Sequence, residues 1–176
     1  MPHATIARPG PNEHAPYYGK YIDRVPGDDA LPALVSQIGE TAALLERLDE
    51  AKASFRYAPD KWSVKQVIGH VADGERVFAY RALRFARADM TPLPGFEEND
   101  YARTGGFDDR PLRDLVVEFR AVRAASIALF ASLTPEAAGH IGTANNSPMS
   151  VRALGWVIAG HELHHRGLLI ERYGLK

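Results

Sequence analysis

The chain has 176 residues, 45% of them hydrophobic, and its 21 basic and 22 acidic residues leave a formal charge of -1. This length supports one domain with its own core, and a nearly neutral chain gives no electrostatic reason to expect nucleic acid or an anionic membrane surface as a partner. The absence of cysteine excludes disulfides, thiolate metal sites and a cysteine nucleophile, so any metal must be bound through nitrogen and oxygen. Neither an 18-residue apolar run nor a secretion signal is present, and we expect a cytoplasmic protein that acts on a small molecule.

Residues 1–14 are predicted to form an irregular arm, because prolines interrupt them and neither a helical nor a strand period is present. Disorder is an open alternative for residues 1–11. Tyr17, Tyr18 and Tyr21 then indicate a segment that packs onto the rest of the protein. Residues 15–176 are predicted to form a single domain.

Two helices are predicted in the first half of this domain. Asp28 or Asp29 can cap the first helix, whose apolar stripe continues to about Ala51. The second helix starts at Ser63, where Ser63 and Gln66 match the capping-box pattern, and continues to about Arg87. Its buried face is expected to contain Val67, Val71, Gly74 and Phe78, with His70 at the edge of this stripe.

A long irregular segment, Thr91 to Arg110, separates these helices from two more. Long loops in compact domains are usually functional or disordered, and the aromatic residues of this one favour function, with Glu97, Glu98 and Tyr101 as candidate helpers at a site. The third helix is predicted from about Pro111 to Ser132 and the last from Ser150 to Tyr173, after an irregular connection over residues 139–149. Without a convincing strand, the sequence predicts an all-α fold, a four-helix bundle with one long crossover loop.

The last helix carries the most informative pattern of the chain. His161 and His165 lie one turn apart in an apolar stripe, where they can donate two ligands to one metal ion. Two imidazoles buried side by side without a partner would be costly, and a shared metal removes that cost. His70 supplies a third ligand if the second and last helices are neighbours. His164 lies off the stripe and is expected to face solvent or to support the ligands from outside, while His3, His14 and His140 are expected at the surface.

His161, Glu162 and His165 also match the H-E-x-x-H pattern of zinc proteases, in which the glutamate is the general base. No histidine follows His165, and Glu171 is too close to serve as a distant third ligand. A protease of this type is therefore not expected. Asp73, one turn after His70, can orient a ligand or pair with Arg76 or Arg81, and an ion pair is the safer expectation.

Several motifs in a fixed order resemble the DinB/YfiT-like superfamily. These are Trp62-Ser63 opening a helix, His70-x-x-Asp73, a proline-containing loop with Phe96-Glu-Glu-Asn99, and His161-x-x-x-His165-Arg166-Gly167. The resemblance covers nearly the whole chain, from about Ala15 to Gly174. It implies a four-helix bundle, often dimeric, that holds a divalent metal through three histidines, which correspond here to His70, His161 and His165. Characterised relatives include bacillithiol S-transferases and mycothiol-dependent isomerases, and others are described only as metal-dependent hydrolases.

The favoured function is therefore the metal-dependent transfer of a low-molecular-weight thiol to a small electrophile, with zinc or nickel as the expected metal. A hydrolase that uses metal-bound hydroxide is the alternative, and a bundle that binds a ligand or partner without catalysis is a third hypothesis from a different class. We also expect a homodimer, mainly because the family resemblance implies one and partly because Ile68 and Phe85 on the second helix lie outside its main apolar stripe and have surface left to bury.

Overall fold

The computed structural model of the protein describes residues 5–176 and consists mainly of helices. In chain order the elements are α1 (Gly19–Ile22), α2 (Ala30–Leu45), α3 (Glu50–Ala53), α4 (Val64–Ala86), α5 (Glu98–Thr104), α6 (Leu112–Ala131), α7 (Pro135–Gly139), β1 (Ile141–Ala144), β2 (Ser147–Ser150) and α8 (Val151–Glu171). Single turns of 3-10 helix occupy Pro16–Tyr18 and Phe107–Asp109. The all-α fold class predicted from the sequence is confirmed.

The four long helices α2, α4, α6 and α8 form the bundle. α4 packs against α6 and α8, and α2 packs against the same two helices, so α2 and α4 lie at opposite corners. The start of α6 lies beside the start of α4, because Glu50 accepts a hydrogen bond from the Leu112 amide and forms an ion pair with Lys65. The segment between α4 and α6 therefore returns along the bundle, which makes it the predicted long crossover.

Side-chain caps fix where the long helices begin. The Ser63 hydroxyl accepts a hydrogen bond from the Gln66 amide while the Gln66 side chain accepts one from the Ser63 amide, which completes the predicted capping box. Asp29 caps α2 by accepting a hydrogen bond from the Leu31 amide, and Ser150 caps α8 by accepting one from the Ala153 amide. Each cap satisfies amide groups that have no partner inside the helix.

The structure corrects three of the elements that the sequence predicts. The first helix ends at Leu45 rather than near Ala51, and the separate short helix α3 follows it. The crossover is not irregular throughout, since Glu97 caps α5 by accepting a hydrogen bond from the Asn99 amide. Residues 139–149 are not a plain connection, because they contain most of an antiparallel hairpin formed by β1 and β2.

The hairpin was missed because its pairing depends on a tight turn and on tertiary contacts. Asn145 and Asn146 both have positive φ, of 50° and 58°, as a two-residue hairpin turn requires. A Cβ atom at Gly142 would lie 2.2 Å from the Phe85 ring, so only glycine allows β1 to approach α4. The amide of Leu93 also donates to the Thr143 carbonyl over 2.9 Å, which joins the crossover to the hairpin.

The N-terminal arm is irregular but packed over the residues that the structure describes. Ile6 is fully buried, and its carbonyl accepts a hydrogen bond of 2.8 Å from the indole of Trp156 on α8. The Ile6 amide donates a hydrogen bond to the Asp29 side chain over 2.9 Å. The alternative of disorder is therefore wrong for the part of the arm around Ile6. Residues 1–4 lie outside the described residues.

A buried ionic network connects the four long helices. Arg123 on α6 has no exposed surface, and its Nε and Nη2 atoms each lie 2.9 Å from an oxygen of Glu75 on α4. Its Nη1 atom lies 2.7 Å from Glu162 on α8 and 3.2 Å from the Leu34 carbonyl on α2. Burial alone would lower the pKa of Arg123, but the charges of Glu75 and Glu162 outweigh it and raise that pKa. The guanidinium therefore stays charged where the helices meet.

Two residues that suggested a dimer are buried within the chain. Ile68 is 1% exposed and Phe85 is fully buried, so neither needs a second subunit to cover it. The compositional argument for a homodimer is thus wrong, which leaves the family resemblance as its basis. Among residues 5–176, no helix combines the length and the apolar character that crossing a membrane requires.

Candidate metal centre

Three histidines from two helices meet inside the bundle. His70 extends from α4, and His161 and His165 extend from α8, which packs against α4. The Nε2 atom of His161 lies 3.0 Å from that of His70 and 3.1 Å from that of His165. The helical spacing of four residues and the packing of α4 on α8 together direct three ring nitrogens to one point.

The space for this cluster comes from small and aromatic neighbours. A Cβ atom at Gly74 would lie 3.2 Å from Cε1 of His161, so glycine at this position of α4 makes room for the ring. The rings of Tyr21 and Phe78 pack edge-on against His161 with centroid distances of 5.3 and 5.9 Å, and Trp62 lies 4.7 Å from His70. These contacts limit the rotation of the imidazoles.

Burial keeps all three imidazoles neutral at physiological pH. It lowers the pKa of His70 to about 4, with a smaller contribution from the charge of His164. Burial also lowers the pKa values of His161 and His165 well below the ordinary value for histidine. A neutral imidazole has a lone pair available, which is the form that binds a metal ion.

The donor set fits a divalent metal better than a set of hydrogen bonds. A ring nitrogen carries either one proton or one lone pair, so the His161 Nε2 atom cannot form two ordinary hydrogen bonds with its two neighbours. A tetrahedral ion with bonds of about 2.0–2.1 Å would instead hold its ligand nitrogens roughly 3.3 Å apart, close to the separations observed. One atom from each of the three histidines lies within 4.8 Å of the others, so the cluster could hold one ion.

The histidines open into a cavity of about 650 Å³. Its walls come from the segment around α1, from Trp62 and α4, from the crossover, from the hairpin and from α8, and they include six tyrosine, tryptophan and phenylalanine side chains. The polar and charged wall residues other than the three histidines and the tyrosines are Lys20, Arg81, Glu98, Asn145, Ser147 and His164. Cavities of this size commonly hold small organic ligands.

Comparison with known proteins identifies the family. The family model described as the DinB superfamily matches residues 33–169, which is well over half of the chain. The chain belongs to the DinB superfamily. No curated protein sequence matches this DinB-superfamily chain.

Solved structures that share the DinB-like fold include the following two. YfiT from Bacillus subtilis, described as "a probable metal-dependent hydrolase with an unusual four-helix bundle topology", superposes with a TM-score of 0.68 at 16% identity and covers 96% of this chain and 94% of its own. A mycothiol-dependent maleylpyruvate isomerase superposes with a TM-score of 0.66 at 15% identity over 82% of this chain, which spans only 61% of the isomerase. At these identities the likeness concerns the fold.

The glutamate of the H-E-x-x-H pattern faces away from the cluster in this DinB-superfamily protein. Glu162 accepts a hydrogen bond of 2.5 Å from the Thr41 hydroxyl, and its other oxygen lies 2.7 Å from Arg123. Adjacent helical residues point about 100° apart, so His161 can face the cavity while Glu162 faces the bundle interior. Glu162 is therefore not placed to act as the base of a zinc protease.

Only one of the candidate helpers in the crossover reaches the cavity. Glu98 lines the cavity, whereas Glu97 is exposed and caps α5. Tyr101 is 43% exposed and packs against Phe96 with a centroid distance of 5.2 Å. We therefore retain Glu98 alone as a candidate helper.

The remaining histidines stay outside the cluster. His164 lines the cavity with its ring 5.0 Å from that of His165, but its nitrogen atoms are not part of the three-histidine group. His140 and His14 are partly buried rather than at the surface, and His140 shares a hydrogen bond of 3.1 Å with the Phe85 carbonyl. His3 lies outside the described residues.

Sequence reasoning missed several wall residues. Arg81 lies on the same helix as His70 at a spacing that brings it to the same side, a signal that helical periodicity contains. Asn145 and Ser147 carry no such signal, since they reach the cavity only through the hairpin. Asp73 forms an ion pair with Arg76 over 3.1 Å, in line with the ion pair expected from the sequence.

Proposed function

We propose that this protein is a metal-dependent enzyme that transfers a low-molecular-weight thiol to a small electrophilic substrate. The observation that carries the proposal is the convergence of three neutral, buried imidazoles at a cavity large enough for a substrate. Three protein ligands are typical of catalytic sites, because they leave a position open for a reacting molecule. His70, His161 and His165 would hold the ion, with zinc or nickel as the expected metals.

A bound divalent metal would supply the acidity that turns a thiol into its nucleophilic thiolate near neutral pH. The chain has no cysteine, so the thiol must come from a separate molecule, and the cavity has room for two small reactants. Trp62, Tyr21 and Phe78 pack against His161 and His70 and give this end of the cavity an aromatic surface. Glu98 is the acidic residue of the described cavity wall and the candidate for accepting the thiol proton.

Hydrolysis is the second candidate function, supported by the similarity to YfiT over nearly the whole chain. It would use the same metal and histidines, with water rather than a thiol as the nucleophile. Glu162 is unavailable as a base for this reaction, since it is held by Arg123 and Thr41. A homodimer remains part of the proposal on the family resemblance alone.

Metal analysis followed by paired assays tests the function. The metal-loaded protein is incubated with a chloronitroaromatic electrophile, with and without glutathione, cysteine, bacillithiol or mycothiol, and in parallel with nitrophenyl esters alone. We expect conjugation that requires both a thiol and the metal and that His161→Ala abolishes. Ester hydrolysis without any thiol, and no conjugation, would favour the hydrolase, whereas a protein that neither retains metal nor catalyses either reaction would favour a binding role.

A further inference from the structure

One cation in the cavity wall is buried without an anionic partner. Arg81 on α4 is 2% exposed, and its Nη2 atom donates to the Pro94 carbonyl over 2.7 Å. Within residues 5–176 no carboxylate lies within 4.0 Å of its guanidinium. Asp73, an acid one could assign to it from the sequence, is instead bound to Arg76.

The bundle shows how a buried arginine is otherwise accommodated. Arg123 is fully buried, and Glu75 and Glu162 both pair with it. An arginine side chain keeps its charge in proteins, and burying that charge without a counter-ion is unfavourable. Arg81 therefore lacks the anionic partners that Arg123 has. Because Arg81 lines the cavity, an anion can reach it from there.

Arg81 is positioned to share a ligand with the histidines. It follows His70 by eleven residues, or about three helical turns, which leaves the two side chains only about 20° apart around α4. The Phe78 ring lies between the histidine end of the cavity and the Arg81 end, with its centre 5.9 Å from that of the His161 ring and 6.0 Å from the guanidinium carbon of Arg81. A ligand that passes over this ring can touch both ends of the cavity.

The other charges of the wall also favour an anion. Lys20 has its Nζ atom 3.7 Å from the centre of the Tyr17 ring, and no carboxylate of the described residues lies within 4.0 Å of it. Glu98 is the opposing charge, but it forms no ion pair with either cation within that distance. Burial raises the pKa of Tyr18, and the nearby charge of Arg81 opposes this rise, so the Tyr18 hydroxyl stays neutral beside the guanidinium.

We propose that the small molecule bound in this cavity carries a carboxylate that pairs with Arg81 while its reacting end lies at the three histidines. The planar guanidinium offers parallel N–H donors that match the two oxygens of one carboxylate. The Pro94 carbonyl fixes the guanidinium, and the Phe78 ring provides apolar contact for the intervening part of the ligand. The position of the reacting end rests on the proposed function, whereas the pairing with Arg81 does not.

Fluorescence titration tests the pairing, because Trp62 lines the cavity and reports on its contents. The probes are phenylacetate, 3-phenylpropanoate and 4-phenylbutanoate, each compared with its primary amide. The variants are Arg81→Met and Arg76→Met, the latter being a control on the same helix whose arginine is already bound to Asp73 and Glu118. For at least one chain length, we expect the acid to bind at least about tenfold more tightly than the amide in the wild type and in Arg76→Met, and equally in Arg81→Met.

Equal binding of acids and amides, a preference that survives Arg81→Met, or no response to any acid at millimolar concentration would each overturn the proposal. Thermal unfolding shows whether the variants are folded, and Arg81→Gln replaces Arg81→Met if the latter is not. The acid titrations are carried out on both metal-loaded and chelator-treated protein, because the pairing with Arg81 does not rest on the proposed function. Their result is then compared with that of the thiol-transfer assay. Acid binding that depends on Arg81, in a protein without thiol transfer, would contradict only the proposed function, while thiol transfer without such binding would contradict only this inference.

Discussion

At the scale of single residues, the position of the His161 ring determines the chemistry of the site. Its Nε2 atom lies 3.0 and 3.1 Å from two other imidazole nitrogens, and burial keeps all three rings neutral. Neutral imidazoles that converge in this way have too few protons and lone pairs to satisfy one another by hydrogen bonds. A shared cation satisfies all three, which is why we interpret the cluster as a metal centre.

Four alanine variants test this interpretation. His70→Ala, His161→Ala and His165→Ala should each yield protein that retains little metal, because each removes one of three ligands. His164→Ala should retain nearly one ion per chain, since the loss of a group outside the ligand set costs at most about 10–100-fold in affinity. Elemental analysis of the four proteins, purified side by side, provides the measurement.

His164 is a demanding control because its ring is only 5.0 Å from that of His165 and it lines the same cavity. If His164→Ala lost the metal and His165→Ala kept it, the assignment of the three ligands would be wrong.

At the scale of elements, α8 presents different residues to different neighbours. His161 and His165 face α4 and the cavity, Glu162 faces Arg123 in the bundle interior, and Gly160 contacts the segment around α1. A Cβ atom at Gly160 would lie 2.0 Å from the carbonyl oxygen of Tyr21. The backbone of α1 can therefore approach the helix only where residue 160 has no side chain, and this approach brings the Tyr21 ring to His161.

Gly160→Ala should accordingly destabilise the protein by about 1–3 kcal/mol, the usual cost of overpacking a close contact. The clash involves backbone atoms, so a change of rotamer cannot relieve it. Urea unfolding gives the free energy of unfolding for the variant and the wild type.

Gly167→Ala is the matched control for this measurement. Gly167 lies on the same helix, and nothing lies within 4 Å of the position that its Cβ would take. Alanine is a better helix former than glycine by about 1 kcal/mol, so this variant should be neutral or more stable than the wild type. Equal stability of the two variants would show that α1 does not pack against Gly160 as described.

At the scale of the whole molecule, Arg123 connects all four long helices through Glu75, Glu162 and the Leu34 carbonyl. Arg123→Met would leave two carboxylates buried without a cation. Removing one partner from such a buried network costs about 3–5 kcal/mol. We expect a loss of this size in the free energy of unfolding, measured by urea denaturation.

Arg120→Met provides the comparison on the same helix. The Arg120 side chain pairs with Glu46 over 2.8 Å, but the two side chains are 45% and 54% exposed. An exposed pair of this kind contributes at most about 1 kcal/mol, so Arg120→Met should unfold almost like the wild type. Losses of similar size in both variants would argue against Arg123 as the link between the helices.

The sequence alone was sufficient for the features that depend on local periodicity and local hydrogen bonds. The starts of α4 and α8 followed from the caps at Ser63 and Ser150, because a cap involves residues only three apart. The grouping of His161 and His165 followed from helical geometry in the same way. The family resemblance and the expected adjacency of two helices then added His70.

Only the tertiary structure decided the features that depend on residues far apart in the chain. The hairpin needs Gly142 to pack on Phe85, and the burial of Ile6 needs Trp156, so neither was visible in a local pattern. Arg81 and Arg123 are both buried arginines on amphipathic helices. They differ in their surroundings, since Glu75 and Glu162 pair with Arg123 whereas Arg81 lies beside a cavity. The partners of a charge are set by the packing of the helices, and that packing is determined by the whole chain at once.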